Sequence, residues 1–393
     1  MPTLQQSFTL KVEYPILFTK GVFQKSSDIL QKVLMHDGLA PRKVLAVVDE
    51  NLFHSQFEVM AQLESWLNYQ QFDLNTIPDI KLIKGGEQVK NDPTLIDKFL
   101  AAMNQEGLCR HSAVLAIGGG AMLDSVGYAC SIFHRGLRLI RLPSTVLSQN
   151  DSGVGVKNGI NYFDKKNFLG TFTPPFAVVN DFDLLSSLSK RDRIAGCAEA
   201  VKVALLKDAD FFEWIADHSK MIQDGESDPL EQLIYRCAEL HMNHIGGSGD
   251  PYESGSSRPL DFGHWAAHKL EALSHYELRH GEAVGIGLAL DCTYASMKGW
   301  ISEFELEKIL VCLEDLGLQT YHPLLSKDLD AEKGTPNILA GLYEFREHLG
   351  GELTLATLEA IGKSRDIHEV DLSILKLAVK SLAKRNSEVK SQF

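Results

Sequence analysis

Cysteine is scarce in this 393-residue chain, and its pattern argues against a disulfide scaffold or a cysteine-based metal site. None of the six cysteines forms a CxxC pair, and they are spread widely along the chain. This usage is typical of a reducing cytosol, in which thiols act as small buried hydrophobic groups. The six are Cys109, Cys130, Cys197, Cys237, Cys292 and Cys312.

Long hydrophobic runs and an excess of basic residues are absent as well. No apolar stretch reaches the ~18 residues that a membrane-spanning helix needs, and the opening MPTLQQSFTLKVEY has no charged-then-apolar signal pattern. The formal net charge is -13, which argues against nucleic acid or a membrane surface as a partner. We therefore expect a cytoplasmic protein that binds neither.

What the chain does contain is an alternation of strand-like and helix-like segments in its first half. With 44% hydrophobic residues it has enough apolar material for a substantial core. Alternation at this spacing predicts a parallel, doubly wound α/β sheet. We predict strands at 6–14, 43–49, 80–83, 113–117 and 138–142, and helices at 26–36, 57–69, 93–107 and 121–131.

The pattern becomes almost entirely helical near residue 183. We therefore predict two domains, an α/β domain at 1–183 and an all-α domain at 184–393. No internal repeat or low-complexity tract interrupts either part. The predicted helices of the second part are 191–207, 209–218, 230–244, 263–273, 281–298 and 303–316.

A histidine-rich stretch at 258–282 is the first candidate for chemistry. His264 and His268 are four residues apart, so on a helix both rings leave the same face, and His280 opens the next helical run. An i,i+4 pair with a distant carboxylate is a usual way to hold zinc, although such short motifs are more often surface histidines. Upstream, Glu199 and Lys202 lie among apolar residues, either as a buried carboxylate that needs a metal ion or as an ordinary salt bridge.

Two further polar segments follow predicted strands. AIGGGAMLDSVG (116–127) forms a glycine turn at the start of a helix, which suits a pyrophosphate but also an ordinary αβ turn. Asp49, Glu87 and Lys90 follow two other strands, and ligands bind outside the carboxyl ends of such strands. The polar stretch at 143–170 includes Lys157, Lys166 and Asn167, which together with the nearby Arg135 suit a phosphate group, unless the stretch is only a solvated loop.

Several of these segments, in this order, resemble 3-dehydroquinate synthase and the wider sugar phosphate cyclases. The resemblance covers about residues 44–364 and rests on GGGAMLD, RGLRLIRLPSTVLSQNDSGVGVK, KKNFLG, GCAEAVK, FGHWAAH and HGEAVGIG. It implies a Rossmann-like NAD-binding domain, a helical domain with a zinc site (cobalt or iron being alternatives), and a homodimer that acts on a phosphorylated sugar.

The resemblance also implies roles for individual residues. Glu199, His264 and His280 match the metal ligands. The positions matching NAD contacts are Asp49, Asn51, Glu87, Lys90, Gly119, Gly120, Asp124, Ser144 and Thr145. The active-site positions are Arg135 (contributed across the dimer), Asp151, Lys157, Lys166, Asn167, Lys202, Glu253, Asp261 and His268.

The implied reaction is a cyclisation in which NAD is recycled. A ring alcohol is transiently oxidised, phosphate is eliminated, the ketone is reduced again, and an intramolecular aldol closes a carbocycle. Some substrate-facing positions depart from the family: Asp261 stands where an asparagine is expected, a lysine is replaced near His241, and Arg258 or Arg346 is left to substitute for missing cations. Because a carboxylate facing a carboxylate costs energy, we expect a neutral ketose phosphate such as sedoheptulose 7-phosphate.

Three other interpretations stay open at this point. The chain is a 3-dehydroquinate synthase proper, a metal-dependent alcohol dehydrogenase of the glycerol dehydrogenase type, or an inactive sensor that binds nucleotide and metal. A dehydrogenase releases NADH stoichiometrically and does not need Lys157, Lys166 and Asn167 at a phosphate. The retained metal-ligand set argues against the sensor.

Overall fold

A computed structural model describes residues 3–69, 80–163, 165–247, 252, 259–331, 337–348 and 352–390. The chain forms two compact units, the first made of residues 1–144 and 155–184 and the second of residues 145–154 and 185–393. The predicted boundary lies between residues 183 and 184. It is one residue before the point, after residue 184, at which the chain leaves the first unit for the last time. The helical pattern did not indicate that 145–154 packs with the second unit, and the division into functional domains stays a prediction.

The first unit is built on a six-stranded sheet in which every neighbouring pair is parallel. Its order is β1-β8-β5-β4-β2-β3, and β6 and β7 form a separate antiparallel hairpin. The strands are Ile16–Thr19 (β1), Val44–Asp49 (β2), Ile80–Ile83 (β3), Ala113–Gly118 (β4), Arg138–Pro143 (β5), Lys157–Tyr162 (β6), Lys165–Phe172 (β7) and Ala177–Asp181 (β8).

Both faces of this sheet are buried, which confirms the predicted doubly wound sheet. Val44, Ala46 and Val48 pack into one hydrophobic core, whereas Leu45 and Val47 pack into another, because successive side chains of a strand point to opposite faces. The helices of this unit are Ile29–Leu34 (α1), Glu50–Ser55 (α2), Phe57–Tyr69 (α3), Pro93–Gln105 (α4) and Gly120–Ile132 (α5).

One predicted strand fails in the first unit, and the strands β6, β7 and β8 were not predicted. Residues 6–14 are mostly exposed and are not a strand; the sheet begins instead at β1, which pairs with β8. Period-two alternation indicates a half-buried strand, but a strand also needs a hydrogen-bonded neighbour, and β8 provides one only for residues 16–19. The strands β6 and β7 were missed because their polar, lysine-rich sequence is typical of a loop.

The second unit is helical, as predicted, with one antiparallel hairpin that the pattern did not reveal. The helix α11 is apolar all round and buried along nearly its whole length, and it packs against α7, α10, α12 and α14. The helices are Lys190–Ala195 (α6), Cys197–Lys207 (α7), Ala209–Asp224 (α8), Ser227–Gly247 (α9), His264–Leu273 (α10), His280–Met297 (α11), Glu303–Asp315 (α12), Ala340–His348 (α13) and Leu372–Lys390 (α14). The hairpin comprises Leu355–Ala360 (β9) and Lys363–Ile367 (β10).

The cysteines behave as the sequence predicts. All six are free thiols, and five of them are buried. Among the described residues, no helix combines the length and hydropathy required to cross a bilayer.

Candidate functional site

Three helices of the second unit bring one carboxylate and two imidazoles together. Glu199 lies in the first turn of α7, while His264 and His280 are the first residues of α10 and α11. The Oε1 atom of Glu199 lies 3.4 Å from Nε2 of His264 and 3.4 Å from Nε2 of His280. Ligand atoms around a tetrahedral zinc ion at 2.0–2.2 Å are roughly 3.3–3.5 Å apart. The three donors therefore have the spacing of a metal site.

The carboxylate of Glu199 has properties that suit a cation-binding group. Its side chain is fully buried, and its Oε1 accepts no hydrogen bond of good geometry from the described residues. Burial favours a raised pKa, but the charges of Lys202 and His264 outweigh it and hold the pKa of Glu199 well below its ordinary value. An ionised buried carboxylate with an unsatisfied oxygen is a donor that fits a metal ion.

Both histidines are oriented by a hydrogen bond on their other ring nitrogen. His264 Nδ1 lies 3.1 Å from the carbonyl oxygen of Phe262, and His280 Nδ1 lies 3.3 Å from Oε2 of the buried Glu271. In the neutral form that binds a metal ion, a hydrogen on each Nδ1 leaves the Nε2 lone pair of each ring directed toward Glu199. Burial lowers the pKa of His280, but Glu271 and Glu199 outweigh burial and raise it to about 9.

A second grouping of possible ligands, His268, Glu271 and His280, shares one histidine with the first. The first grouping fits a metal ion better, because the contact between Glu271 and His280 is explained as the hydrogen bond that orients the imidazole. His268 is exposed, and its ring lies 5.5 Å from that of His264 and 5.9 Å from that of His280. It therefore borders the cluster.

Local packing explains why the chain places these donors so closely. A Cβ atom on Gly281 would lie 1.8 Å from the carbonyl oxygen of Ala195, so only glycine lets α11 begin against the end of α6. Gly263 precedes His264 with a φ of 77°, a left-handed conformation that favours glycine. The predicted helix at 191–207 is divided at Gly196, whose carbonyl oxygen accepts a hydrogen bond from the buried Asn150.

That hydrogen bond anchors residues 145–154 beside α7, and this segment carries Asp151. Oδ1 of Asp151 lies 3.0 Å from Nδ1 of His241 on α9. Lys202 forms a buried ion pair with Glu199, and burial, which lowers its pKa, is outweighed by Glu199, Asp151 and Asp261, so that the pKa of Lys202 rises above its ordinary value. Lys202 is therefore a cation and a hydrogen-bond donor at neutral pH.

The carboxyl edge of the sheet in the first unit is a second candidate site. The ends of β2, β3, β4 and β5 lie in register there. Asp49, the last residue of β2, accepts hydrogen bonds from the backbone of Asn51 and Leu52, and burial raises its pKa despite those two bonds. A Cβ atom on Gly85 would lie 1.8 Å from Oδ2 of Asp49. The Asp49 carboxylate therefore packs directly against the backbone of Gly85, at the strand ends where ligands bind to such sheets.

The buried ammonium group of Lys90 links Asp124, which the sequence assigned to NAD, with Asn167, which the sequence assigned to the substrate. Lys90 Nζ lies 2.5 Å from Oδ2 of Asp124 and 2.8 Å from Oδ1 of Asn167. Asn161 bonds to Glu87, Asn91 and the backbone of Asn167, at 3.3, 2.7 and 2.8 Å. These bonds hold the β6–β7 hairpin against residues 87–91, and Lys166 lies 3.9 Å from Glu87.

The remaining predicted residues are more dispersed. Lys157 has an exposed side chain at the start of β6, and its carbonyl accepts a hydrogen bond from the fully buried Arg141 at 3.0 Å. Arg135 and Asn51 are exposed.

Gly119 and Gly120 form the N-terminus of α5. The backbone nitrogens of Ser144 and Thr145 donate to Gly118 and Ser148, Arg346 is exposed, and Glu253 and Arg258 lie outside the described residues.

Sequence reasoning missed three residues that organise these sites. Glu271 was noted in the histidine-rich stretch but not given a role, although its spacing of three from His268 and nine from His280 was visible. Asn161 and Arg141 gave no signal, because an asparagine in a polar stretch and an arginine in a strand are each typical of surface positions.

The family matches agree with this architecture. Residues 80–195 match the family model described as 3-dehydroquinate synthase N-terminal, and residues 196–338 match the one described as 3-dehydroquinate synthase C-terminal. The doubly wound sheet, the helical unit and these matches place the chain in the sugar phosphate cyclase superfamily. Within it, the chain belongs to the 3-dehydroquinate synthase family, which confirms the resemblance seen in the sequence.

Individual relatives extend the match over most of the chain. It is 34% identical to the 3-dehydroquinate synthase of Alkaliphilus metalliredigens (strain QYMF) over 277 residues, 70% of this chain and 74% of that protein. It is 30% identical to that of Thermoanaerobacter pseudethanolicus over 365 residues, 93% of this chain and 96% of that protein. The solved structure of ValA, a 2-epi-5-epi-valiolone synthase from Streptomyces hygroscopicus subsp. jinggangensis 5008 with NAD+ and Zn2+ bound, shows 27% identity and a TM-score of 0.84, covering 97% of this chain and 100% of that one.

Proposed function

We propose that this protein is a cyclising phosphate lyase that uses NAD and a divalent metal ion, zinc first among the candidates, to convert a phosphorylated seven-carbon sugar into a carbocycle. One observation carries the proposal: in a member of this family, Glu199 Oε1 lies 3.4 Å from Nε2 of both His264 and His280. The solved relative ValA has NAD+ and Zn2+ bound, and the same pair of cofactors suits the residues present here.

The second unit supplies the metal ligands and the groups around them. Glu199, His264 and His280 would hold the ion. His268 would contact the substrate and would not be a fourth ligand. Bound zinc supplies Lewis acidity toward a substrate oxygen, and bound NAD supplies reversible hydride acceptance. Lys202 is a buried cation beside Glu199, so it stabilises negative charge on a substrate oxygen and does not act as the base.

The first unit supplies the groups for NAD and for phosphate. Asp49 and the N-terminus of α5 suit the ribose and the pyrophosphate, since the helix N-terminus presents free backbone N–H groups. Lys157 and Lys166 on the β6–β7 hairpin suit a phosphate, as does Asn167, whose side-chain oxygen Lys90 fixes in place. Arg135 is exposed and is proposed to reach the phosphate of the partner subunit in a homodimer.

The charges in the second unit favour a substrate without its own carboxylate. Asp261, which stands where the family resemblance leads one to expect an asparagine, acts on Lys202 and raises its pKa. His241, close to where the family resemblance leads one to expect a lysine, faces Asp151 at 3.0 Å. A substrate carboxylate here meets carboxylates where a cation is needed. We therefore infer a neutral ketose phosphate, with sedoheptulose 7-phosphate as the first candidate.

The test is to load the purified protein with zinc and NAD and to offer sedoheptulose 7-phosphate and the carboxylated precursor of 3-dehydroquinate separately. Phosphate release and NADH absorbance are followed together. We expect phosphate without net NADH, and faster release from the neutral sugar. Glu199→Gln should abolish release, whereas His275→Ala, which changes an exposed histidine outside the cluster, should leave it unchanged.

Other results would redirect the proposal. Faster turnover of the carboxylated precursor would make the protein a 3-dehydroquinate synthase proper. Net NADH without phosphate would make it a dehydrogenase. Failure to bind metal or NAD would contradict the proposal itself.

A further inference from the structure

One buried carboxylate in the second unit is not used by the proposed reaction. Asp291 lies in the middle of α11, surrounded in sequence by buried apolar residues. A carboxylate at such a position costs free energy unless it is fully hydrogen-bonded. Burial raises the pKa of Asp291 to about 7, even though two hydrogen bonds act to lower it. The chain therefore retains a costly group at this point, and its contacts indicate the reason.

Both oxygens of Asp291 bind the first turn of α10. Oδ1 accepts a hydrogen bond from Nε1 of Trp265 at 2.9 Å, and Oδ2 accepts one from the backbone nitrogen of Gly263 at 3.1 Å. The residue between these two donors is His264. One carboxylate thus fixes the backbone before the histidine and the side chain after it.

Helices α10 and α11 are in close contact where Asp291 forms these hydrogen bonds. A Cβ atom on Gly263 would lie 2.9 Å from the backbone nitrogen of Leu288, and one on Gly287 would lie 2.1 Å from the carbonyl oxygen of Gly263. The glycines allow α10 and α11 to touch, and Asp291 links them by hydrogen bonds. His280 is the first residue of α11. The hydrogen bonds between the two helices therefore also hold His264 in position relative to His280.

We propose that Asp291 and Trp265 form a clamp that positions His264 relative to His280 and so sets the geometry and affinity of the metal site. Asp291 is a positioning residue, because its oxygens contact Trp265 and Gly263 and not the cluster itself. The inference rests on the proposed metal site. Removing such an outer hydrogen-bond partner typically weakens metal binding 10- to 100-fold.

The test compares Asp291→Asn and Trp265→Phe with a matched control on the same helix. Asparagine leaves one of the two donors without an acceptor, and phenylalanine removes the indole N–H while keeping most of the ring. Thr293→Val is the control, because Thr293 is buried on α11 and its hydroxyl donates to a carbonyl oxygen of the same helix, that of Ala289, at 2.7 Å. The full chain is loaded with Co2+, and its dissociation constant and visible absorption spectrum are measured.

We expect each clamp variant to bind Co2+ at least tenfold more weakly, with changed band positions, while Thr293→Val keeps both properties of the wild type. Trp265→Phe gives the answer if Asp291→Asn does not fold. Clamp variants that match Thr293→Val in both readouts would overturn the clamp while leaving the metal site intact. A wild-type protein that binds no Co2+ would overturn the proposed metal site and the clamp together.

Discussion

Oε2 of Glu271 lies 3.3 Å from Nδ1 of His280, so a buried acid orients an imidazole whose opposite nitrogen faces Glu199. This arrangement keeps the His280 ring in one orientation and makes its Nε2 a stronger donor. Glu271 is therefore expected to act on the metal without touching it.

Replacing Glu271 by alanine should weaken zinc affinity by about 10- to 100-fold. The reason is that His280 loses the partner that orients its ring and favours its Nδ1 proton. Competition with a chromophoric chelator measures the change. Glu277→Ala removes an exposed carboxylate a short distance along the chain and should leave affinity unchanged; equal affinities for both variants would contradict the assigned role.

Replacing Lys90 by methionine should lower the free energy of unfolding by about 3 kcal/mol. The substitution leaves the Asp124 carboxylate without its ammonium partner and frees the side chain of Asn167. Denaturant titration in the absence of NAD checks this, because the loss is expected without the nucleotide. Lys84→Met, at an exposed lysine, is the control. Destabilisation seen only with NAD present would mean that Lys90 serves the nucleotide alone.

Adding one methyl group at Gly281 should disrupt both the packing of α11 and the proposed metal site. A Cβ atom there would lie 1.8 Å from the carbonyl oxygen of Ala195, so α11 must move, and His280 moves with it. Gly281→Ala is expected to cost about 1–3 kcal/mol of stability and to weaken zinc binding. Gly246→Ala adds the same methyl where no described residue lies within 4 Å, and it should lower neither quantity.

Stability should depend on pH through Asp291. Its pKa is about 7 in the folded protein and about 3.9 in the unfolded chain, so the folded state holds the proton more tightly. The stability gained from that proton is complete below about pH 4 and is lost as pH rises to about 7, at roughly 1 kcal/mol per pH unit. The difference in unfolding free energy between wild type and Asp291→Asn should therefore fall from pH 5 to 7 and level off above. Parallel curves would show that Asp291 is ionised throughout.

Asp261→Asn should move substrate preference toward the carboxylated sugar. Removing one negative charge near Lys202 is expected to raise the ratio of kcat/KM for the acidic over the neutral substrate by about tenfold, equivalent to roughly one pKa unit of interaction. Steady-state phosphate release with both substrates gives the ratio. The control is Asp210→Asn, which changes an exposed acid on α8; an unchanged ratio for Asp261→Asn would separate this residue from specificity.

The parts of the fold that were predictable are those in which burial repeats along the chain. The strand Val44–Asp49 and the helix Phe57–Tyr69 carry regular apolar patterns, and their burial matches those patterns. The β6–β7 hairpin was not predictable, because polar contacts stabilise it: Lys90 and Asn161 bond to residues distant in sequence. No local pattern records such pairings.

In the candidate site, too, only the features that local sequence patterns record were predictable. His264 and His268 were singled out by their spacing and Glu199 by its apolar neighbours, since both features are local. The roles of Glu271 and Asp291 depend on how α10 meets α11, and that contact is decided by Gly263 and Gly287. A glycine in a helix looks unfavourable in sequence, and its purpose is visible only when the facing backbone is known.

Residues 145–154 have a consequence for dissecting the protein. Because the chain leaves the first unit after residue 144 and returns to it at residue 155, no single cut separates the two units. A fragment beginning at residue 185 would carry every proposed metal ligand but would lack Asp151 and the Asn150 bond to Gly196. Separately expressed halves are therefore expected to assemble poorly, and gene fusion or shuffling within this family should conserve the ten-residue segment together with the C-terminal part.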